Sequence, residues 1–275
     1  MAGLVPAIFL PAFLGGLHPG NAMSTAIPIA ELQLQGMHRI ALQQALEWLT
    51  SIVEPVGIVV SGSIIRGNPG PSSDLDIVVL HDQPWRRRIQ RLFNRTPTEL
   101  FFNSQEWLEH SIQDEASRGR PSMAHMLATG TLVRDRESRM ADLIRAAQDV
   151  LAQGPGLRPE VLLRERYLAA CLVEDALDFD GADTADARQI LALAVDALVR
   201  YAYVEANRHL PRPKERLELL AGFAPDLARL LSGALREAPA EAIGTLRQAS
   251  ERALGVSGFF EWDSGPDHTT PPRRG

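Results

Sequence analysis

The chain has 275 residues, of which 45% are hydrophobic and 23% are charged, a composition typical of a globular protein large enough for two modest domains. Its 28 basic and 34 acidic side chains give a net charge of −6, so it lacks the basic excess of proteins that hold long nucleic acid. The single cysteine, Cys171, excludes an internal disulfide, and no apolar run reaches the roughly 18 residues of a membrane span, so we expect a cytoplasmic protein.

The first 36 residues are predicted to lie outside the fold. Residues 4–17 are apolar but broken by two prolines, and no Lys or Arg precedes them as a secretory signal requires. Met23 and Met37 are alternative start residues. We therefore interpret residues 1–36 as a disordered leader or an over-extended reading frame.

Residues 37–145 are predicted to form an α/β domain with a small mixed sheet. Apolar positions at helical spacing after His38 predict a first helix that ends at Glu54. Strands are predicted over 56–60, 74–80, 98–102 and 131–133, and helices from Pro84 and over 104–127. This alternation of strands and helices is typical of an α/β architecture.

Five arginines crowd the helix that is predicted after Pro84: Arg86, Arg87, Arg88, Arg91 and Arg95. We interpret them as a solvated face opposite the apolar residues of that helix. RNA binding is the less favoured alternative.

A second, all-helical domain is predicted over residues 157–258. After Gly154-Pro155-Gly156 the strand-like runs vanish and long helical patterns take over, up to about Leu254. Residues 262–275 contain almost nothing apolar, so we expect a disordered tail there.

The segment between the first two predicted strands has the residues that suit phosphate chemistry. Gly62 lets the backbone approach a ligand closely, and Ser63 is predicted at a helix start, where a hydroxyl and unpaired N–H groups favour an anion. Asp74 and Asp76 are two residues apart on a strand, so their carboxylates project from the same face. Such a pair repels itself unless a cation lies between its members, and Mg²⁺ prefers carboxylates together with substrate phosphates.

A third carboxylate is expected from a neighbouring strand. Glu99 is the only acid in the predicted strand 98–102, and an acid among apolar neighbours needs a cation or a hydrogen-bonding partner. We therefore predict that Asp74, Asp76 and Glu99 bind Mg²⁺, with two ions during turnover. The alternatives are an exposed strand end for Glu99 and a solvated turn for the two aspartates.

The motif Gly62-Ser63-x-x-Arg66-Gly67, followed by Ser73-Asp74-Leu75-Asp76, resembles the signature of the DNA polymerase β-type nucleotidyltransferases. The resemblance spans about residues 37–135. It implies that Asp74 and Asp76 are metal ligands and that Gly62 and Ser63 contact the triphosphate. Ser73 is also placed with the nucleotide, whereas Arg66 either contacts the nucleotide or packs as structure.

The helical half is similar in layout to minimal and small-molecule nucleotidyltransferases, including the aminoglycoside-modifying ones, in which a helical domain closes the acceptor cleft. In the basic turn of residues 207–214, Lys214 is the best candidate to reach the nucleotide phosphates. A solvated loop is the alternative for this turn.

The predicted function is transfer of a nucleoside monophosphate, AMP if the donor is ATP, from a nucleoside triphosphate to a hydroxyl of a small molecule, with release of pyrophosphate. One alternative is a protein AMP-transferase of the antitoxin type. Another is a non-catalytic nucleotide-binding module. The expected partners are a nucleoside triphosphate and a small-molecule or protein acceptor, with neither a membrane nor long nucleic acid.

Overall fold

The structure of the protein is a computed structural model that describes residues 26–266. The chain divides into two compact units. Unit 1 extends to Ala116 and resumes over Pro121–Gln153, and unit 2 comprises Ser117–Arg120 and the chain from Gly154 onward. Among residues 26–266, no helix combines the length and the apolar composition that crossing a membrane requires.

Unit 1 contains a five-stranded mixed sheet with helices on both faces. Its elements are α1 (Gly36–Leu49), β1 (Gly57–Ser61), β2 (Leu75–Leu80), β3 (Arg87–Phe93), β4 (Thr96–Asn103), α2 (Gln105–Ser117), α3 (Ser122–Thr129), β5 (Thr131–Asp135) and α4 (Arg139–Gln153). The strand order is β3-β4-β2-β1-β5. Strands β2 and β4 are parallel, and all other neighbours are antiparallel. The predicted α/β class with a small mixed sheet is confirmed.

The central strand β2 is covered on both faces, which explains its continuous apolar sequence. Ile77 and Val79 pack with α1 in one core, whereas Val78 and Leu80 pack with α2, α3 and α4 in another. Because side chains alternate along a strand, Asp76 lies on the same face as Val78 and Leu80. The acidic end of β2 therefore opens on the α2–α4 side of the sheet.

The helix that we predicted from Pro84 is wrong, because residues 87–93 form the edge strand β3. This strand pairs with β4 through a two-residue turn at Asn94 and Arg95, whose φ angles of 43° and 65° suit a tight hairpin. Leu92, one of the apolar residues of the predicted helix, is 67% exposed. An edge strand tolerates exposed polar residues, so pairing with β4 overrides the helical spacing of the apolar side chains.

Two other predicted helices have different ends. Helix α1 ends at Leu49 rather than at Glu54. The helix predicted over residues 104–127 is divided into α2 and α3 at Gly119, which has a φ of 73°, and at Pro121.

Part of the expected leader is packed against unit 1. The N–H of Ile27 donates to the carbonyl of Leu132 at 2.8 Å, and Leu32 is buried in the core beneath α1. The Arg39 guanidinium donates to the carbonyls of Ala30 and Leu32, both at 2.9 Å. Residues 1–25 and 267–275 lie outside the described residues. The expectations of a disordered or over-extended leader and of a disordered tail therefore stay predictions for these positions.

The regular secondary structure of unit 2 is all helical within its described residues, as predicted. Its helices are α5 (Pro159–Leu177), α6 (Ala185–Glu205), α7 (Arg216–Leu220), α8 (Pro225–Ala234) and α9 (Pro239–Leu254), with a 3₁₀ turn at Pro213–Glu215. Three of them begin with proline, which is favoured at the first helical position because that residue needs no N–H donor. Val173, Leu198, Leu231 and Leu246 belong to its buried core.

Candidate functional site

Three carboxylates meet at one end of the parallel strands β2 and β4. Asp76 and Glu99 occupy paired positions in the two strands, and Asp74 lies one residue before β2. One oxygen from each of the three side chains lies within 4.8 Å of the others. The structure thus brings together the three acids that the sequence predicts as metal ligands.

The three acids fit a hard divalent cation. Carboxylate oxygens are the ligands that Mg²⁺ prefers, and Mg²⁺ usually takes one or two of them together with substrate phosphates. Asp74 and Asp76 are half-buried and Glu99 is 7% exposed, so the group is reachable from solvent and yet fixed by the sheet. Carboxylates this close repel one another unless positive charge is near.

Positive charge reaches Glu99 from the edge strand β3. The Nε of Arg88 donates to Oε1 of Glu99 at 2.5 Å, and the side-chain amide of Gln90 donates to the same oxygen at 2.9 Å. The hydrogen bond from Arg88 is the largest cause that lowers the pKa of Glu99, while burial acts in the opposite direction. The same hydrogen bond raises the pKa of Arg88, so both groups are charged at neutral pH.

Sequence reasoning missed Arg88 and Gln90 as neighbours of the acids because it placed them on a helix. Their place beside Glu99 follows from the alternation of side chains along β3 once that strand is known. Arg88, Gln90 and Leu92 share one face of β3, and Ile89, Arg91 and Phe93 share the other. In the register with β4, Gln90 is directly opposite Glu99 and Arg88 is opposite Phe101.

Gly62 and the residues after it form a turn rather than the predicted helix start. The N–H of Arg66 donates to the carbonyl of Gly62 at 3.2 Å, and the N–H of Asn68 donates to that of Ser63 at 3.0 Å, but no α-helix follows. The run from Gly67 to Ser72, rich in Gly, Pro and Ser, does not continue a helical pattern. The prediction of a helix start at Ser63 is therefore wrong, whereas the turn keeps the hydroxyl near β2.

Two serines predicted to contact nucleotide lie against each other. The hydroxyls of Ser63 and Ser73 are 2.6 Å apart, and the N–H of Gly70 donates to Oγ of Ser73 at 2.8 Å. This contact closes the loop between β1 and β2, and Ser73 immediately precedes Asp74. The loop thus fixes two hydroxyl groups beside the first aspartate.

Gly62 leaves no room for a side chain beside the acids. Its φ is 102°, and a Cβ on it would meet the carbonyl oxygen of Asp74 at 2.9 Å and Oδ2 of Asp76 at 3.3 Å. The position therefore requires glycine both for its backbone angle and for the close approach of β2.

Arg66 and Lys214, the other two predicted nucleotide contacts, have different surroundings. Arg66 is half-buried in the turn after β1 in unit 1. Lys214 is exposed in the 3₁₀ turn Pro213–Glu215 of unit 2, where Arg212 and Glu215 form an ion pair of 3.3 Å.

A cleft of about 390 Å³ adjoins the acids in unit 1. Its lining residues come from the start of β2 and from the β3–β4 hairpin: Asp74, Gln90, Arg91, Leu92, Pro97, Thr98 and Glu99. The exposed side chain of Leu92 and the ring of Pro97 supply an apolar surface next to the carboxylates. The cleft offers space for a group that must reach them.

Comparison with known families supports the resemblance that the motif indicates. Residues 42–121 match the family model of the nucleotidyltransferase domain. The resemblance to the nucleotidyltransferases is confirmed over these residues. This nucleotidyltransferase stretch contains Gly62, Ser63, Ser73 and all three carboxylates.

A search of curated proteins gave no match. Among solved structures, a nucleotidyltransferase-like protein from Exiguobacterium sibiricum is similar at 15% identity and a TM-score of 0.46. The similarity covers 78% of this chain and 73% of that one.

Proposed function

We propose that the chain is a metal-dependent nucleotidyltransferase that moves a nucleoside monophosphate from a nucleoside triphosphate to a hydroxyl of a small molecule. ATP is the proposed donor and Mg²⁺ the proposed ion. The observation that carries the proposal is the cluster of Asp74, Asp76 and Glu99, whose oxygens lie within 4.8 Å of one another inside the matched domain.

The proposed reaction is an in-line displacement at the α-phosphorus. The acceptor oxygen forms a bond to the α-phosphorus, the bond from that phosphorus to the bridging oxygen breaks, and pyrophosphate leaves with the electron pair. The acceptor hydroxyl loses its proton to a base in the same process. Divalent ions held by Asp74, Asp76 and Glu99 would neutralise the charge of the phosphates and stabilise the charge that develops during the displacement.

The chain's own residues bind and orient the substrates in this proposal. Asp74, Asp76 and Glu99 hold the ions. Gly62 permits phosphate oxygens to approach the backbone. The hydroxyls of Ser63 and Ser73 share one hydrogen bond, so one of the two keeps a proton to donate to a phosphate oxygen. Positioning and charge stabilisation of this kind supply most of the acceleration in phosphoryl transfer.

Arg66 and Lys214 are proposed as further nucleotide contacts. Arg66 belongs to the same turn as Ser63, which supports a role near the phosphates. The proposal for Lys214 rests on its charge and exposure in the basic turn of unit 2.

The acceptor is proposed to be a small molecule that enters the cleft lined by the β3–β4 hairpin. The net charge of −6 disfavours a long nucleic acid, and a cleft of about 390 Å³ beside Asp74 and Glu99 suits a small substrate.

Calorimetric titration with a non-hydrolysable triphosphate, with and without Mg²⁺, tests the proposal. We expect binding that requires the ion and favours triphosphate over monophosphate. Asp76→Asn should lose the Mg²⁺-dependent binding of the triphosphate. Asp142→Asn, a control at an exposed acid paired with Arg145, should keep it. Equal affinity with and without Mg²⁺ in the wild type would contradict the proposal and favour a non-catalytic nucleotide-binding module.

A further inference from the structure

The guanidinium of Arg88 lies at the solvent-exposed edge of the carboxylate cluster. Its side chain is 64% exposed, whereas the Glu99 side chain to which it donates is 9% exposed. The guanidinium also lies over the ring of Phe101, 5.0 Å from the ring centre, which supports it from below. Arg88 therefore approaches Glu99 from the solvent side, the side open to an ion.

Both protein donors to Glu99 use the same oxygen. Arg88 and Gln90 both donate to Oε1, so neither hydrogen bond occupies Oε2. The two donors have different chemistry, since Gln90 is neutral and Arg88 carries a full positive charge. The negative charge of Asp76 also raises the pKa of Arg88.

We propose that Arg88 is the internal counter-cation of the carboxylate cluster: it neutralises Glu99 when no divalent ion is bound, and it opposes the binding of the ion. Gln90 is assigned the separate task of a positioning residue that keeps Oε1 in place. The inference rests on the proposed function, because it assumes that the three acids take a divalent ion.

The positive charge of Arg88 explains why this residue lowers the affinity of the site for a divalent ion. Replacement of Arg88 by a neutral residue makes the surroundings of the three carboxylates more negative by one unit of charge. A divalent ion is attracted by the acids and repelled by the guanidinium. Because Arg88 is exposed, a water-like dielectric applies, and a unit charge roughly 6 Å from a divalent ion then changes its affinity about tenfold.

The opposite reading is that Arg88 mainly orients Glu99. Loss of a group that orients a metal ligand lowers metal affinity by about 10–100-fold. The two roles therefore predict opposite changes in metal affinity when Arg88 is replaced. We expect Gln90 to stay bonded to Oε1 in an Arg88 variant and thus to preserve the orientation of Glu99.

A titration of Mn²⁺ into the full-length chain without nucleotide tests the inference. The free ion is measured by its electron paramagnetic resonance signal. We expect Arg88→Gln to bind Mn²⁺ about tenfold more tightly than wild type. Arg87→Gln removes the same charge from the opposite face of β3, and we expect its affinity to stay within about threefold of wild type. Gln90→Met, which removes a neutral donor, should bind Mn²⁺ about tenfold more weakly.

A second measurement covers the case in which Arg88→Gln folds poorly. Arg88→Lys retains the charge but loses the planar Nε donor, so Mn²⁺ affinity should stay within about threefold of wild type. An Arg88→Gln affinity equal to or weaker than that of wild type, or a more than tenfold loss in Arg88→Lys, would overturn the counter-cation role. Absence of Mn²⁺ binding in the wild type would instead contradict the proposed function.

Discussion

Gly62 lies so close to Asp76 that a Cβ on the glycine would be 3.3 Å from Oδ2 of the aspartate. The same Cβ would be 2.9 Å from the carbonyl oxygen of Asp74, a backbone atom that cannot move without shifting β2. The glycine of the turn and the acids of the next strand therefore form one unit of structure. The geometry of the carboxylates depends on the absence of a side chain at residue 62.

Substitution of Gly62 by alanine should disturb the carboxylates in addition to straining the backbone. We expect a loss of about 1–3 kcal/mol in the free energy of unfolding, together with a loss of metal-dependent nucleotide binding. Gly67→Ala is the matched control, because Gly67 also has a positive φ, of 79°, but has nothing within 4 Å of the added Cβ. That control should lose stability through strain and should keep its nucleotide affinity, as measured by denaturant unfolding and by calorimetry. Equal effects of the two substitutions on nucleotide affinity would contradict the role of the contact.

Ser63 and Ser73 should behave as a coupled pair. Their hydroxyls are 2.6 Å apart, so either alanine substitution removes the partner of the other. We expect each single substitution to weaken binding of the triphosphate, and the double mutant to lose less than the sum, by about 0.5–3 kcal/mol of coupling free energy. Ser72→Ala, at an exposed position of the same loop, is the control and should bind as wild type does. Additive losses in calorimetric titrations would show that the two hydroxyls act independently.

His81 should make unit 1 less stable at mildly acidic pH. Its side chain is buried against Trp85, with ring centres 4.2 Å apart, and Nδ1 accepts a hydrogen bond from the N–H of Gln83. Burial is the largest cause that lowers the pKa of His81 below its ordinary value of 6.5. The unfolded chain therefore binds a proton more readily than the folded chain, and the stabilisation is present above pH 6.5 and is lost as pH falls through the folded pKa.

Denaturant unfolding between pH 7 and pH 5 measures this effect. The free energy of unfolding of wild type should fall with acidification, and His81→Phe should reduce that slope. His110→Phe, at an exposed position on α2, should leave the slope unchanged. The ion pair of Glu99 with Arg88 affects stability in a different pH range. The pKa of Glu99 is lowered, so the stability that this pair contributes is lost only below the ordinary pKa of 4.5. A wild-type slope that survives in His81→Phe would contradict the assignment.

The sequence could predict those features of the fold and site that follow from local periodicity. The spacing of Asp74 and Asp76 and the apolar run after them indicated a strand with both acids on one face, and the structure brings Glu99 beside them. The long helices α5, α6 and α9 of unit 2 were also predictable, because each has an apolar pattern over several turns.

Features that depend on pairing between distant residues could not be predicted. Strand β3 has too little apolar alternation to indicate a strand, and it forms because β4 offers an unpaired edge. The contacts of Arg88 and Gln90 with Glu99 follow only once that pairing is known. The Ser63–Ser73 contact likewise depends on how the loop between β1 and β2 closes, which no local pattern reveals.

Asp76→Asn tests the central claim most directly, since the amide keeps the shape of the side chain and removes the charge that a metal site needs. The measurement is the melting temperature of wild type and variant in chelator and again with Mg²⁺ and ATP. We expect the variant to show no stabilisation by Mg²⁺ and ATP, because it lacks one of the charges that hold the ion. A variant that is destabilised by about 1–3 kcal/mol in chelator, yet is stabilised by Mg²⁺ and ATP as much as wild type, would contradict the metal site at Asp76.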